Sequence, residues 1–401
     1  MDKERAVTEL NNALKGFHGR FKKIYGQICF RVDEDSYLST GGNKLLCETD
    51  EGSFELCAMH AGDLAEIFDA KGDVNAIIFG CTPEIVKVSD ESETFRTALE
   101  DLAMLTGPAL KIIPDSSPSS IIAALAESDL CMIKGVGAVA ACSNLRKAVA
   151  GIQIVQKACE AEIHGEALGG TVPLSDADAK ACRKHFLDDY VKRNEGKNET
   201  YLGYDEEELR LRGQIVDYGK ELIRKDLNYG SWGNLSVRLN DKEMLISPSS
   251  MDYFEIGLED IVKVNIETLE HYGDRSPSGK VDMHAAVYRN YPECGAIINT
   301  YSNALCVFAA CEVGFTVSSD LQELIGDVFV AKYSPARRRV LPKAVTDVFK
   351  KTHACILPHQ SGVFCGPSLE VVSAIAEAVE KRAQKLLNFD ESILNTDDEE
   401  E

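Results

Sequence analysis

Hydrophobic positions along the chain alternate between a helical spacing and an extended one. In residues 214–227 apolar side chains recur every three or four positions, which predicts an amphipathic helix. Residues 235–239 alternate between apolar and polar side chains, and the short apolar runs 244–246 and 354–357 also predict strands. Helical spacing returns at 282–290, 340–351 and 368–387. Strands and helices mixed in this way predict an α/β fold in which helices cover a sheet.

The pattern of one half of the chain repeats in the other half. The segment 295–298 resembles 75–78, which lies 220 residues earlier, and 320–326 resembles 101–107, which lies 219 residues earlier. A nearly constant offset between separate matches indicates a duplicated domain. We therefore predict a first repeat, a helical connection with a linker, a second repeat and a disordered acidic tail, at 1–172, 173–204, 205–389 and 390–401.

Bulk composition is that of an ordinary globular protein. The 401 residues are 44% hydrophobic and 27% charged, which leaves room for two domains with cores of their own. No apolar run approaches the roughly 18 residues of a membrane span, and the amino terminus does not resemble a signal peptide. We expect a cytoplasmic protein that does not bind membranes.

Charge and cysteine usage narrow the classes of partner. The net charge is −22, and the last twelve residues hold seven acids and no bases, so we expect no nucleic-acid partner. Thirteen cysteines occur, mostly inside apolar runs and never as Cys-x-x-Cys. This usage favours packed thiols over disulfides or a zinc site.

Four short segments of the second repeat carry candidate chemistry. Gly233-Asn234 begins a predicted strand, and Ser249 and Ser278 lie in two serine turns. Asn299-Thr300-Tyr301 follows the apolar strand predicted at 295–298. Glycine lets backbone N–H groups approach an anion closely, and asparagine and serine add neutral side-chain donors. Converging donors of this kind suit a phosphate. The same residue types also dominate ordinary turns, so both interpretations stay open.

In this order, with residues 362–366 and 369 after them, the segments resemble the class II aldolase/adducin family over about 180 residues. The resemblance implies two tandem class II aldolase-like α/β/α domains, each a central, mostly antiparallel sheet covered by helices. It also implies that a sugar phosphate is held by Gly233, Asn234, Ser249 and Ser278. Ser250 and Gly279 depart from the pattern, because the family shows a glycine and a serine there.

The positions that bind metal in the family are changed in this chain. Family enzymes hold a zinc-type ion with three histidines, and Asn299, Tyr301 and Gln360 stand at those positions, with His359 one residue away. Asparagine and tyrosine are poor zinc ligands compared with imidazole. We expect no metal cofactor, with Zn²⁺ or another divalent ion as the alternative if His359 supplies a ligand.

Lys280 stands where the family has its glutamate. A lysine there replaces an anion by a cation, which further opposes metal binding. As the candidate catalytic residue it could pair with a phosphate or form a Schiff base, and as an ordinary lysine it would form a surface salt bridge. His284 follows on the same predicted helix, and we interpret it as a packed or surface residue because no His-x-His or His-x-x-x-His pair occurs.

The first repeat retains less of the pattern. We assign its glycine-asparagine turn to Thr40-Gly41-Gly42-Asn43, and Phe79, Cys81 and Val136 stand at the histidine positions. The loop before the predicted helix is also much shorter, with 19 residues between Asn43 and Asp63. We therefore expect the first repeat to be architectural.

Three functions are compatible with these residues, and whether the chain is an enzyme is left open. The first is a pseudoenzyme that binds a sugar phosphate or another anionic metabolite, or has a structural role. The second is an active aldehyde-lyase, a sugar-phosphate aldolase or epimerase acting on a phosphorylated ketose. The third is an adducin-like interaction protein. Because family enzymes are often four-fold rings, two repeats per chain predict a homo-oligomer, a dimer that mimics such a ring.

Overall fold

The computed structural model describes residues 19–59, 63–190, 203–273, 275–333 and 340–389, together with Leu10, Ala13, Leu14 and Phe17. These residues form two units, each containing one sheet. The predicted tail at 390–401 and the central part of the predicted linker, 191–202, lie outside the described residues. No helix within the described ranges is long and apolar enough to cross a membrane.

The unit boundaries differ from the predicted ones. Residues 173–183, predicted to be a connection, group with the first unit, and 164–172 group with the second. Hydrogen bonds explain the exchange. Leu174 N–H donates to the Thr97 carbonyl in the first unit at 2.9 Å, whereas Val172 N–H donates to the Ala310 carbonyl in the second at 2.7 Å. The chain therefore crosses between the units more than once.

The first unit is a mixed α/β fold. Its strands are β1 (Tyr25–Arg31), β2 (Ser36–Ser39), β3 (Lys44–Leu45), β4 (Glu55–Ala58), β5 (Ala76–Cys81), β6 (Thr94–Arg96), β7 (Ala109–Ile113), β8 (Leu130–Ile133) and β9 (Gly137–Cys142). They lie in the order β4-β2-β1-β5-β9-β8-β7-β6, with β3 paired to β1 off this path. Only the β7–β8 pair is parallel. The helices are α1 (Asp63–Ala70), α2 (Pro83–Glu91), α3 (Glu100–Thr106), α4 (Pro118–Ala124), α5 (Leu145–Gly165) and α6 (Asp176–His185).

The second unit has the same mixed character. Its strands are β10 (Asn234–Arg238), β11 (Glu243–Ile246), β12 (Val262–Asn265), β13 (His271–Tyr272), β14 (Ala296–Asn299), β15 (Phe329–Val330), β16 (Ala354–Leu357) and β17 (Ser361–Gly366). They lie in the order β13-β12-β11-β10-β14-β17-β16-β15, and only β15–β16 is parallel. The helices are α7 (Glu206–Arg224), α8 (Val281–Asn290), α9 (Asn303–Ala310), α10 (Ser319–Ile325), α11 (Leu341–Phe349) and α12 (Leu369–Leu386).

The elements predicted from periodicity are confirmed in the second unit, most to within a residue or two at each end. Helix α7 begins eight residues earlier than the predicted start at 214. Asp205 provides the reason, because its side chain accepts a hydrogen bond from Glu208 N–H at 2.8 Å and caps the helix. Three glutamates fill the first turn, where the helix dipole favours negative charge.

The two sheets share their strand order and strand directions over seven strands. The run β4-β2-β1-β5-β9-β8-β7 corresponds to β12-β11-β10-β14-β17-β16-β15. The registers correspond as well. Ile28 lies opposite Ile78 and Leu235 lies opposite Ile298, so Gln27 occupies the place of Asn234 in the ladder.

The predicted assignment of Thr40-Gly41-Gly42-Asn43 was wrong. This segment follows β2, whose counterpart is β11 and not β10. Thr40 N–H donates to the Ile28 carbonyl at 3.0 Å, and Ile28 N–H donates to Thr40 Oγ1 at 3.1 Å. Ser247 and Leu235 exchange the same two hydrogen bonds, at 3.0 and 3.3 Å. The counterpart of Gly233-Asn234 is therefore Gly26-Gln27.

Candidate functional site

The predicted phosphate-binding residues lie on three neighbouring segments of the second unit. Gly233 ends the turn before β10 with a positive φ of 86°. A Cβ at this position would lie 2.2 Å from Nδ2 of Asn228, so no other residue fits without displacing that side chain. Tyr253 donates a hydrogen bond from its hydroxyl to the Gly233 carbonyl at 3.1 Å. The glycine-asparagine turn is therefore fixed on both sides.

The two serine turns lie side by side. Ser249 N–H donates to the Ser276 carbonyl at 2.9 Å, and Ser278 N–H donates to the Ser247 carbonyl at 3.1 Å. Ser250 has a positive φ of 61°, which is the left-handed conformation that glycine adopts most readily. The backbone at Ser250 thus retains the conformation suited to the glycine that the motif comparison expected.

Lys280 immediately precedes α8, and its N–H donates to Ser278 Oγ at 3.3 Å. The side chain is half-buried, and none of the described residues forms an ion pair with its ammonium group. Its charge acts on His284, one turn further along the helix, where it helps to lower the pKa of the imidazole. Lys280 therefore places a positive charge beside the second serine turn.

A buried hydrogen-bonded chain connects β10, β14 and β17. Asn234 and Asn299 are paired across the β10–β14 ladder, and Asn234 Nδ2 donates to Asn299 Oδ1 at 3.2 Å. Asn299 Nδ2 in turn donates to the Gly362 carbonyl at 2.8 Å. Both side chains are buried. The first of the positions that bind metal in the family is thus occupied by an amide whose two ends each have a partner within the protein.

The same chain continues from Asn234 into helix α8. His284 Nε2 lies 2.6 Å from Asn234 Oδ1, and its Nδ1 lies 2.7 Å from Ser236 Oγ. Ser236 Oγ also lies 2.8 Å from the Tyr288 hydroxyl. His284, Ser236 and Tyr288 are fully or almost fully buried. His284 was interpreted as a packed or surface residue. The structure places it in the buried interior, and its contact with Asn234 was not foreseen.

Burial determines the charge of His284. Desolvation, followed by the charge of Lys280, lowers the pKa of His284 from 6.5 to about 3. The ring is therefore neutral at physiological pH, with one nitrogen that donates and one that accepts.

The other positions that bind metal in the family have different surroundings in this chain. The Tyr301 ring is buried against Trp232, with ring centroids 5.4 Å apart. Gln360 lies in the β16–β17 turn with its side chain buried, and Oε1 has no hydrogen-bond partner among the described residues. His359 has a positive φ of 62°, and its Nε2 lies 3.1 Å from a carboxylate oxygen of Glu312. The Tyr333 ring packs edge-on against the His359 ring at 4.6 Å.

These side chains do not fit a site for a divalent transition metal. Only one imidazole, that of His359, is available, and it is directed toward Glu312. Asn299 Oδ1 already accepts a hydrogen bond, and its Nδ2 cannot bind a cation. In the part of the chain that the structure describes, no group of three or more His, Cys, Asp and Glu side chains is arranged to hold a metal ion.

The first unit lacks this hydrogen-bonded chain. Gln27, the counterpart of Asn234, donates from Nε2 to Ser39 Oγ at 3.0 Å. Phe79 lies opposite Gln27, where Asn299 lies opposite Asn234. Val136 is more than half exposed at the tip of the β8–β9 turn, the counterpart of Gln360. The polar groups of the second unit are thus replaced by apolar or unrelated side chains.

Residues 213–387 match the family model described as the class II aldolase and adducin N-terminal domain. Residues 213–387 belong to the class II aldolase and adducin family. The matched range begins within α7 and ends one residue after α12, so the class II aldolase/adducin domain includes every strand of the second unit. The resemblance inferred from the short motifs is confirmed.

Three curated proteins that resemble the class II aldolase/adducin domain are named as aldolases or a decarboxylase of phosphorylated compounds. The 5-deoxy-D-ribulose 1-phosphate aldolase of Bacillus thuringiensis serovar kurstaki is 29% identical over 175 residues, which cover 43% of this chain and 82% of that enzyme. The L-fuculose phosphate aldolase of Haemophilus influenzae is 28% identical over 181 residues, covering 45% and 83%. The 3-oxo-tetronate 4-phosphate decarboxylase of Pectobacterium atrosepticum is 27% identical over 184 residues, covering 44% and 84%.

Among solved structures, an L-fuculose 1-phosphate aldolase is 28% identical and matches with a TM-score of 0.43. The match covers 47% of this chain and 91% of that one.

Proposed function

We propose that the second unit binds the phosphate group of a phosphorylated sugar or a related anionic metabolite. The residues that contact the phosphate in this proposal are Gly233, Asn234, Ser249 and Ser278, and Lys280 contributes a positive charge. The names of the relatives support this ligand class, because each of the three acts on a phosphate ester.

One observation carries the proposal. The glycine-asparagine turn and both serine turns are held next to one another by backbone hydrogen bonds through Ser247, which bonds to Leu235 and to Ser278. Neutral donors from three segments, with one lysine beside them, form the kind of site that recognises a phosphate without arginine. The chain therefore contains every residue that phosphate binding requires in this proposal.

We also propose that the chain is a pseudoenzyme with respect to metal-dependent cleavage. The side chains at the metal positions supply at most one imidazole, and Lys280 adds repulsion for a cation. The competing function is an active aldehyde-lyase acting on a phosphorylated ketose, which is favoured by the names of the relatives. An adducin-like interaction protein is the third possibility.

Three measurements on the full chain separate these functions. Titration calorimetry with inorganic phosphate and with L-fuculose 1-phosphate is expected to give saturable binding at one site per chain. Elemental analysis of the purified protein, together with an assay for release of a phosphorylated three-carbon fragment with and without added Zn²⁺, is expected to give no stoichiometric metal and no turnover. Chelator-sensitive turnover would establish the lyase, and absence of phosphate binding would favour the interaction protein.

The shared strand order and register support a further proposal, that the two units arose by duplication of one domain. The paired hydrogen bonds of Thr40 with Ile28 and of Ser247 with Leu235 are the strongest support, because a register is not conserved by chance. On this basis we propose a homodimer that mimics a four-unit ring. Sedimentation velocity at micromolar concentration is expected to give twice the chain mass of 43.9 kDa, and a monomer would contradict it.

A further inference from the structure

Only one assignment of donors and acceptors is possible for the series of hydrogen bonds around Asn234. A backbone carbonyl cannot donate, so the group that Asn299 presents to Gly362 must be its NH₂ and not its oxygen. Asn299 therefore presents Oδ1 to Asn234, and Asn234 must donate to it from its own NH₂ group. Inverting either amide would place two acceptors against each other, so the usual ambiguity between amide oxygen and nitrogen is removed here.

The direction of donation in these bonds also determines which nitrogen of His284 carries the proton. Because Asn234 presents Oδ1 to the imidazole, Nε2 of His284 must carry the proton. A neutral ring leaves Nδ1 as an acceptor, so the Ser236 hydroxyl donates to Nδ1. Ser236 Oγ in turn accepts from the Tyr288 hydroxyl. Each hydrogen bond in the chain from Tyr288 to Gly362 thus has one assigned donor and one assigned acceptor.

We infer that His284 is a positioning residue of the anion site, which holds the amide oxygen of Asn234 inside the protein and leaves only an N–H of that amide for the ligand. The inference rests in part on the proposed function, because it assigns the way in which Asn234 meets a ligand. The Asn234 amide has two N–H bonds. One donates to Asn299, and the described residues supply no acceptor for the other.

This arrangement restricts the chemistry of the ligand. Asn234 can offer a donor but not an acceptor, and Lys280, whose charge acts on the neighbouring His284, offers a cation. The ligand group at this point must therefore be an acceptor, such as a phosphate or carboxylate oxygen, and not a cation. An asparagine free to rotate would accept either kind of group, so the specificity depends on the partners that fix the amide, His284 and Asn299, and not on Asn234 alone.

The first test concerns the histidine itself and requires no ligand. In protein labelled with ¹⁵N-histidine, long-range ¹H–¹⁵N correlation at pH 7 is expected to show one ring with a protonated Nε2 and an unprotonated Nδ1. That signal should be absent from H284Q and present in Y288F, which removes only the outermost hydroxyl of the chain. A ring protonated at Nδ1, or one averaging between the two forms, would overturn the inference.

The second test concerns binding of inorganic phosphate, measured by calorimetry on the full chain. H284M fills the space without a donor and is expected to weaken phosphate binding about tenfold, the size expected for one charge-assisted hydrogen bond that is no longer positioned. H284Q restores an N–H donor and should recover most of the affinity. Y288F should bind like the parent protein, and thermal melting of each variant shows whether it is folded.

The outcomes separate this inference from the proposed function. If the parent protein binds no phosphate but His284 has the expected tautomer, the function is wrong and the assignment of the hydrogen-bond direction survives. If phosphate binds and H284M binds it equally well, the positioning role is wrong. Should H284M fail to fold, the comparison of H284Q with Y288F and the tautomer measurement still decide the question.

Discussion

Asn234 and Asn299 face each other across two antiparallel strands, and the amide nitrogen of the first lies 3.2 Å from the amide oxygen of the second. One of these residues was predicted to bind phosphate and the other stands at a metal position. Their contact means that the proposed phosphate site and the position that binds metal in the family form a single hydrogen-bonded unit. A substitution at either residue is therefore expected to affect the other.

The stability of the protein should depend on pH through His284. Burial and the charge of Lys280 lower the pKa of this ring to about 3, whereas the unfolded chain binds a proton near pH 6.5. The unfolded state therefore holds more protons in this window, and the stability contributed by the neutral ring is complete above pH 6.5. It is lost as the pH falls toward 3, at about 1.4 kcal/mol per pH unit.

Urea unfolding at pH 7, 6 and 5 measures this loss. The parent protein is expected to lose about 2 kcal/mol between pH 7 and pH 5 through this group. H284Q has no titrating ring at this position, so its free energy of unfolding should fall by about 2 kcal/mol less over the same pH range. Y288F should lose as much stability as the parent protein. Equal slopes for H284Q and the parent protein would contradict the assignment of a lowered pKa.

Gly233 should tolerate no side chain. G233A places a Cβ at a positive φ of 86° and 2.2 Å from Asn228 Nδ2, and we expect a loss of about 2–5 kcal/mol in the free energy of unfolding. G230A is the matched control, because Gly230 also has a positive φ but no atom within 4 Å of the added Cβ. G230A should lower the free energy of unfolding by only about 1–2 kcal/mol. Equal losses for G230A and G233A in chemical denaturation would show that the contact with Asn228 is unimportant.

Glu380 should stabilise the helix that follows the Asn299–Ser302 turn. Its buried carboxylate accepts hydrogen bonds from the N–H groups of Ala304 and Leu305 at 3.0 and 3.1 Å, at the start of α9. E380Q keeps one acceptor but loses the charge that the helix dipole favours, and we expect a loss of about 1–3 kcal/mol.

The control for E380Q is E377Q on the same helix, where Glu377 forms partly exposed ion pairs with Lys225 and Lys381. Such pairs contribute about 0–1 kcal/mol, so E377Q should change the midpoint of urea unfolding very little. If E380Q and E377Q behaved alike, the carboxylate at position 380 would not be capping α9.

Lys280 should contribute to phosphate binding without contributing to stability. No described residue pairs with its ammonium group, so K280A is expected to leave the thermal midpoint nearly unchanged. We expect phosphate affinity to fall about tenfold, and the remaining binding to depend less on salt. K242A, at an exposed lysine of the same unit, should bind phosphate normally, and a reduced thermal midpoint for K280A would indicate a structural role.

The strands and helices of the second unit could be predicted because their periods are clear and their sequences are rich in the appropriate residues. The buried strand Ala296–Asn299 follows from three consecutive apolar residues, and α12 follows from its alanine, glutamate and lysine content. The boundary between the units was less predictable. It depends on hydrogen bonds such as that from Val172 to Ala310, which join residues distant in the sequence.

The site was predicted only in part, because its contacts depend on strand register. Gly233 and Asn234 were recognised from a motif, but Gly26-Gln27 was missed and Thr40-Gly41-Gly42-Asn43 was chosen instead. A glycine-asparagine pair is typical of any turn, and composition does not reveal which strand it follows. His284 shows the same limit, because its partners Asn234 and Ser236 lie 50 and 48 residues away.

The fixed direction of the buried chain also bears on how this protein could change over evolutionary time. A histidine introduced at position 299 could bind an ion through one nitrogen and donate to Gly362 through the other, but it would then have no acceptor for Asn234. A zinc-type centre here would thus require coordinated replacements at several buried positions. No single substitution at position 299 supplies an imidazole ligand and also keeps the hydrogen bond to Asn234.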